Sequence, residues 1–155
     1  MIEFKYLVEV NKEDIVALMN HPKVRKHMPL SQGLFDDAAY DEFIVAKEKL
    51  WKQHGYGPCA FAADGKFIGW GGLQYEEGDA DLALVLHPNY WGKGKTIYDL
   101  IINQAFNKMG LPSITALLPP SRTRIKVMSR LGFHPDGELT IAGQKFLRFR
   151  LNKSG

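Results

Sequence analysis

The hydrophobic pattern of this chain predicts one mixed α/β (α+β) domain over residues 1–155, with a predominantly antiparallel sheet of about seven strands flanked by helices. Two observations carry this expectation. Short apolar runs alternate with compact turns at Asp64-Gly65, Glu76-Glu77-Gly78 and Ala142-Gly143, which is how successive hairpins are written. A strand–helix–strand pattern then runs from Asp79 to Leu118, which calls for a parallel crossover. The predicted order is β-α-α-β-β-β-α-β-α-β-β.

Met1 to Val10 reads as the first strand, and Asn11 as the N-cap of a helix from Lys12 to about Met19. Pro22 interrupts, so His21 to Pro29 is expected to be irregular or a short helical turn. From Asp36 to Gln53, Phe43, Ile44, Ala46, Leu50 and Trp51 recur near helical spacing. Strands follow at Cys59–Ala63, Phe67–Gln74 and Asp79–Leu86. Thr96 to Met109 is an amphipathic helix with Ile97, Leu100, Ile101, Ala105, Phe106 and Met109 inward, stopped by Gly110 and Pro112. Ser113–Leu118 is a buried strand. Ser121 caps a second helix with Ile125, Met128 and Leu131 inward, and Gly132 closes it. Glu138–Ala142 and Lys145–Leu151 form a last hairpin.

Composition narrows the function classes. The chain has 155 residues, 45% hydrophobic and 24% charged, which suits a globular domain with one sizeable core. No apolar run approaches the roughly 18 residues that span a membrane, and Glu3, Lys5 and Glu9 argue against a signal peptide. Cytoplasmic location is the resulting expectation, with no membrane partner. A net charge of +3 is too small an excess to argue for nucleic acid, and the basic segment Arg122 to Arg130 reads as a solvated helix face. Cys59 stands alone, so no internal disulfide forms, and no Cys/His cluster suggests a metal. Cys59, Trp51, Trp70 and Tyr56 are expected in the core or a pocket wall.

The chemistry-bearing segment is Asp81-Leu-Ala-Leu-Val-Leu-His-Pro-Asn-Tyr-Trp-Gly-Lys-Gly-Lys-Thr96, a strand that leads through a glycine-rich loop into a helix. A helix N-terminus offers unpaired N–H groups and the positive end of the dipole, and so suits phosphate. Gly92 and Gly94 let a ligand approach the backbone, and Lys93 and Lys95 add charge. A nucleotide P-loop fails on spacing, because its first glycine falls on Asn89.

The same segment resembles the central motif of the GNAT superfamily of N-acetyltransferases, closest to the branch that acetylates protein N-terminal amines, including those of ribosomal proteins. Ile68-Gly69, Gly71-Gly72-Leu73 and Leu131-Gly132-Phe133 are similar to flanking motifs of the family. The resemblance covers most of the chain and is specific from about Ile68 to Phe133. It implies acetyl-CoA as acyl donor and direct transfer to an amine. It places backbone groups of Leu84, Val85 and Leu86 against the pantetheine arm, and Trp91, Gly92, Lys93, Gly94, Lys95 and Thr96 around the pyrophosphate.

An amine must lose a proton before it attacks a thioester, which requires a base. Asp81, where this branch usually has Glu, is the first candidate. The alternative is a solvent-facing turn residue within the cluster Glu76, Glu77, Asp79 and Asp81, which would still attract a cationic substrate. Several positions depart from the commonest pattern. Thr96 ends the loop instead of Gly or Ala. Ser121 replaces a pantetheine-binding Asn. Arg124 replaces a Ser, and two readings of it stand: a phosphate contact or a solvent-facing side chain. Met128 stands where some members carry a thiolate-protonating Tyr. These departures support a second functional class, a CoA-binding sensor or scaffold without turnover. The expected partner is an amine, either a peptide N-terminus or a small molecule, and the terminal hairpin offers an edge for a homodimer.

Overall fold

A computed structural model of the chain describes residues 1–28, 33–120 and 125–154. Seven strands form one sheet: β1 (Ile2–Lys5), β2 (Cys59–Ala63), β3 (Lys66–Glu76), β4 (Asp79–Leu86), β5 (Ser113–Leu118), β6 (His134–Ile141) and β7 (Gln144–Asn152). They lie in the order β1-β2-β3-β4-β5-β7-β6. Every neighbouring pair is antiparallel except β4 with β5. The helices are α1 (Lys12–Asn20), α2 (Pro22–Arg25), α3 (Asp37–His54), α4 (Gly94–Asn103) and α5 (Ile125–Arg130). Among the described residues, no helix is long and apolar enough to cross a membrane.

The three hairpins turn by one device. Asp64-Gly65, Glu77-Gly78 and Ala142-Gly143 each hold two successive residues at positive φ, which matches the twist of the flanking strands. Alternation along β2, β3 and β4 then sends side chains to two cores. Phe61, Ile68, Leu73 and Leu86 pack against Ile97 and Ile101 of α4. Ala60, Trp70, Ala83 and Val85 pack against Ile15, Leu18 and Met19 of α1 and Phe43 and Ile44 of α3.

Several elements differ from expectation for local reasons. The first strand stops at Lys5, because Glu9 Oε1 accepts from the Tyr6 amide at 2.8 Å and a 3-10 turn over Leu7–Glu9 buries Leu7. Asn11 precedes α1 without a side-chain capping bond. In the segment expected to be irregular, α2 is opened by His21 Nδ1, which accepts from the Lys23 amide, with Pro22 in the first turn. The α4 helix begins at Gly94, two positions before the predicted start at Thr96, and becomes a π-helical turn over Gln104–Lys108. That extra residue per turn lets both Ala105 and Phe106 face the core. Leu100, expected inward, is 42% exposed, and Tyr98 is buried in its place. Met128 is buried and Leu131 half-buried, as the pattern requires; the Ile125 side chain and the proposed Ser121 cap lie outside what is described.

The β4–β5 pair positions the site. These parallel strands are in register at one pair only, Asp81 with Thr115. Beyond it they part, and β4 from Leu82 onward keeps its ladder with β3 but has no partner on the β5 side. β3 presses close to β4 at this point. A Cβ at Gly71 would lie 2.3 Å from the Ala83 carbonyl oxygen, and one at Gly69 2.3 Å from that of Val85. Glycine at both positions therefore fixes how β4 is presented to the gap.

Candidate active site

The gap between β4 and β5 opens into a cavity of about 990 Å³ that reaches both faces of the sheet. On the α4 face it is walled by Leu84, Gly94, Lys95, Tyr98 and Met128. On the α3 face it is walled by Met19, Lys47, Trp70, Gln74, Glu76 and Asp81. A volume of this order holds an extended small-molecule ligand.

On the α4 face, Leu84 is partly exposed in the gap and Leu86 buried, while Val85 between them turns to the α3 face and is half-buried. The Leu86 carbonyl accepts from the Trp91 indole at 3.0 Å, so Trp91 ties the loop back to the end of β4. His87 Nδ1 accepts from the Asn89 amide and Pro88 follows it, which tightens the turn over Pro88–Lys93. The α4 helix starts without a side-chain cap, since Lys93 at that position makes none. The Gly94 amide donates to the Trp91 carbonyl, so this end offers an anion the positive pole of the helix dipole rather than a full set of unpaired amides. A Cβ at Gly92 would meet nothing within 4 Å, and one at Gly94 only the Leu84 and Leu86 side chains at 3.9 Å. That open space fits a pyrophosphate. Lys93 and Thr96 are exposed beside it. Lys95 is ion-paired with Asp99 one turn on, so its charge is partly spoken for. Ser121 and Arg124 lie outside the described residues. Tyr98, assigned no role from sequence, sits against Phe133, and burial pushes its phenol up to about 12.

On the α3 face, Asp81 is buried, not a solvent-facing turn residue. Thr115 Oγ1 donates to Asp81 Oδ1 at 2.9 Å, and among the described residues no cation pairs with it. Burial pushes its pKa up to about 7, the Thr115 bond pulls it down, and the charges of Glu76 and Asp79 add to the rise. The rest of the acidic cluster resolves differently. Asp79 receives both terminal nitrogens of Arg150, at 2.9 and 3.1 Å. Arg150 also donates to Asp136 and to Ser113 Oγ, at 2.8 Å each. Asp79 is therefore neutralised where it stands, whereas Asp81 and Glu76, which both line the cavity, form no ion pair among the described residues.

Sequence reasoning missed Lys47. It projects from α3 into the same cavity and donates to Gln74 Oε1 at 3.0 Å. Its ammonium lies 5.5 Å from the Phe43 ring centroid and 5.1 Å from that of Trp70. Burial lowers its pKa, with Glu76 acting in opposition. Gln74 is the direct cross-strand partner of Asp81. A signal was present, since Lys47 falls one turn after Phe43 and Ile44, as the polar member of an otherwise apolar stripe. Cys59 is half-buried, and burial raises its thiol to about 11, so it is no nucleophile. Among the described residues no group of His, Cys, Asp or Glu could hold a metal ion.

Solved structures share this architecture over nearly the whole chain. An acetyltransferase from Agrobacterium tumefaciens aligns with a TM-score of 0.75 at 18% identity, covering 98% of this chain and 91% of the other. The N-acetyltransferase PseH of Campylobacter jejuni, in complex with acetyl coenzyme A, aligns at 0.69 and 20% identity, covering 99% and 100%. A chimeric spermidine N-acetyltransferase from Vibrio cholerae aligns at 0.67 and 14% identity, covering 97% and 95%. At these identities the likeness is one of fold. No curated protein matches the sequence. The family model described as acetyltransferase (GNAT) domain matches residues 6–134, most of the chain, and with it the protein belongs to the GNAT acetyltransferases.

Proposed function

We propose that the protein transfers an acetyl group from acetyl-CoA to a primary amine, on a peptide N-terminus or a small molecule, with Asp81 as the base. The observation that carries this reading is the buried Asp81 carboxyl, held by Thr115 at the vertex where β4 and β5 part, where burial pushes its pKa up. Acetyl-CoA supplies the activated thioester. Leu84 and Val85 offer backbone groups that an extended pantetheine arm can pair with as an added strand. The α4 N-terminus with Gly92, Lys93, Gly94, Lys95 and Thr96 holds the pyrophosphate, and Trp91 anchors that loop. Ser121 and Arg124 are proposed contacts to the same ligand.

The arriving ammonium gives a proton to the Asp81 carboxylate, directly or through one water. The freed nitrogen forms the amide bond as the carbon–sulfur bond breaks. Met128 has no proton to give, so the leaving thiolate takes one from water or from the substrate nitrogen. Resemblance to the N-terminal-amine branch favours a peptide as acceptor. A sensor that binds CoA without turnover is the second reading, favoured by Met128 in the cavity wall.

The test is calorimetric titration of acetyl-CoA into wild type and Gly94→Trp, paired with thiol release over an amine panel. Binding that the variant loses while it stays folded, plus thiol release with an amine, supports transfer. Binding without thiol release from any amine supports the sensor. No binding to folded wild type removes both readings.

A further inference from the structure

Lys47 is a cation held in an apolar wall without a carboxylate to neutralise it. Its partners are a neutral amide, Gln74 Oε1, and the faces of Phe43 and Trp70. Among the described residues it forms no ion pair. The acid that acts on it electrostatically is Glu76, without an ion pair, and the Glu76 carboxyl is itself raised, chiefly by burial. A lysine kept only for packing would extend its ammonium to bulk water along its flexible stem. Here the stem ends in the cavity that also holds Asp81.

Gln74 spends its carbonyl on Lys47, so its amide N–H groups are left for a ligand, and none of them has a described partner. Lys47 Nζ and Gln74 Nε2 together make a pair of donors. They lie across one strand pair from Asp81, because Gln74 and Asp81 face each other in the β3–β4 ladder, roughly 5 Å apart at Cα.

We infer that the amine acceptor carries a carboxylate a few bonds from its reacting nitrogen, and that Lys47 and Gln74 receive it. This rests on the acetyl-transfer reading and narrows its substrate to amino acids or short acid-bearing peptides. The ammonium end meets Asp81 and the carboxylate end meets Lys47, while Met19 and Trp70 accept an apolar side chain. A polyamine would instead place a second cation against Lys47, a like-charge contact in a low-dielectric cleft.

The experiment measures kcat/KM by thiol release for L-methionine, L-phenylalanine and methionyl-aspartate, each beside its carboxamide counterpart, with spermidine as the cationic control. It is run on wild type, Lys47→Met and Lys47→Arg, with acetyl-CoA titration of each variant as the check on folding. Wild type should favour the carboxylate member about tenfold or more, the scale of a charged hydrogen bond. Lys47→Met should bring the ratio to about one, and Lys47→Arg should retain most of it. Carboxamides or spermidine used as well as the carboxylates would overturn the inference, as would a preference that survives Lys47→Met. A second readout needs no turnover: N-acetyl-L-methionine and its carboxamide are titrated into protein loaded with CoA. Lys47-dependent binding of the acid without thiol release from any amine would overturn transfer and leave the anion subsite standing. Equal binding of acid and carboxamide, with no discrimination in rate, removes the subsite.

Discussion

The two faces of the cleft are assembled in opposite ways. On the α4 face, most of the residues proposed to hold the acyl donor lie within the short span from Leu84 to Thr96, on one strand end, one turn and one helix start. On the α3 face, Met19 comes from α1, Lys47 from α3, Trp70 and Gln74 from β3, and Asp81 from β4. The first is, on the proposed reading, a backbone site, built from a helix start and open space around glycine. The second is a side-chain site, in which charge and burial are set by residues far apart in the chain. A backbone site changes when its shape changes, and a side-chain site when one functional group changes. Substitutions on the two faces should therefore fail in separable ways.

The largest effect is expected from Asp81→Asn. It should cut kcat/KM by about a hundredfold or more while leaving acetyl-CoA affinity within a few-fold. Its stability should move the other way. The folded carboxyl titrates near 7 against an ordinary value of 3.8, so the unfolded chain releases this proton first as pH rises. Native stability from this group is complete below about pH 4 and lost progressively up to about pH 7. The Asn variant should hence be more stable than wild type by about 1–3 kcal/mol at pH 8 and no more stable at pH 4, measured by urea unfolding. A variant that loses both activity and stability at pH 8 would make Asp81 a structural residue.

Gly94→Trp should lower acetyl-CoA affinity by about thirtyfold or more with little change in thermal midpoint, since a side chain there enters open space. If kcat falls while affinity holds, the division between the two faces fails. Arg150→Met comes next. It leaves Asp79 and Asp136 without their shared cation, and should cost about 1–3 kcal/mol of stability. The freed Asp79 charge should also raise the pH midpoint of kcat/KM. Smallest is Thr115→Val, which removes the hydrogen bond that holds the Asp81 pKa down. The midpoint should move up by about half a unit, with the plateau rate at high pH retained. A downward shift would mean that another group titrates.

The α4 face was readable in sequence for the reason that makes it local. The strand from Asp79 to Leu86, the turn with Gly92 and Gly94, and the helix that follows all lie in one uninterrupted stretch. The hairpins were readable because Asp64-Gly65 and its two counterparts encode their own backbone. What escaped depends on contacts between distant segments. Asp81 was singled out by resemblance, but its burial against Thr115 of β5 and the pairing of Asp79 with Arg150 of β7 were not legible, because both partners come from distant strands. Lys47 was hidden because a lysine on a helix is ordinarily solvated, and its burial comes from Phe43 and Trp70 closing over it. The π-helical turn at Gln104 escaped because it satisfies two adjacent core positions, a demand of packing rather than of local propensity.

Because β4 and β5 are paired in register at a single position, the sheet has a seam down its middle. An acyl donor lying in that seam would act as a splint between β1–β4 on one side and β5–β7 on the other. Folding and donor occupancy are then linked, with about 2.7 kcal/mol of added stability when free donor stands at a hundred times its Kd.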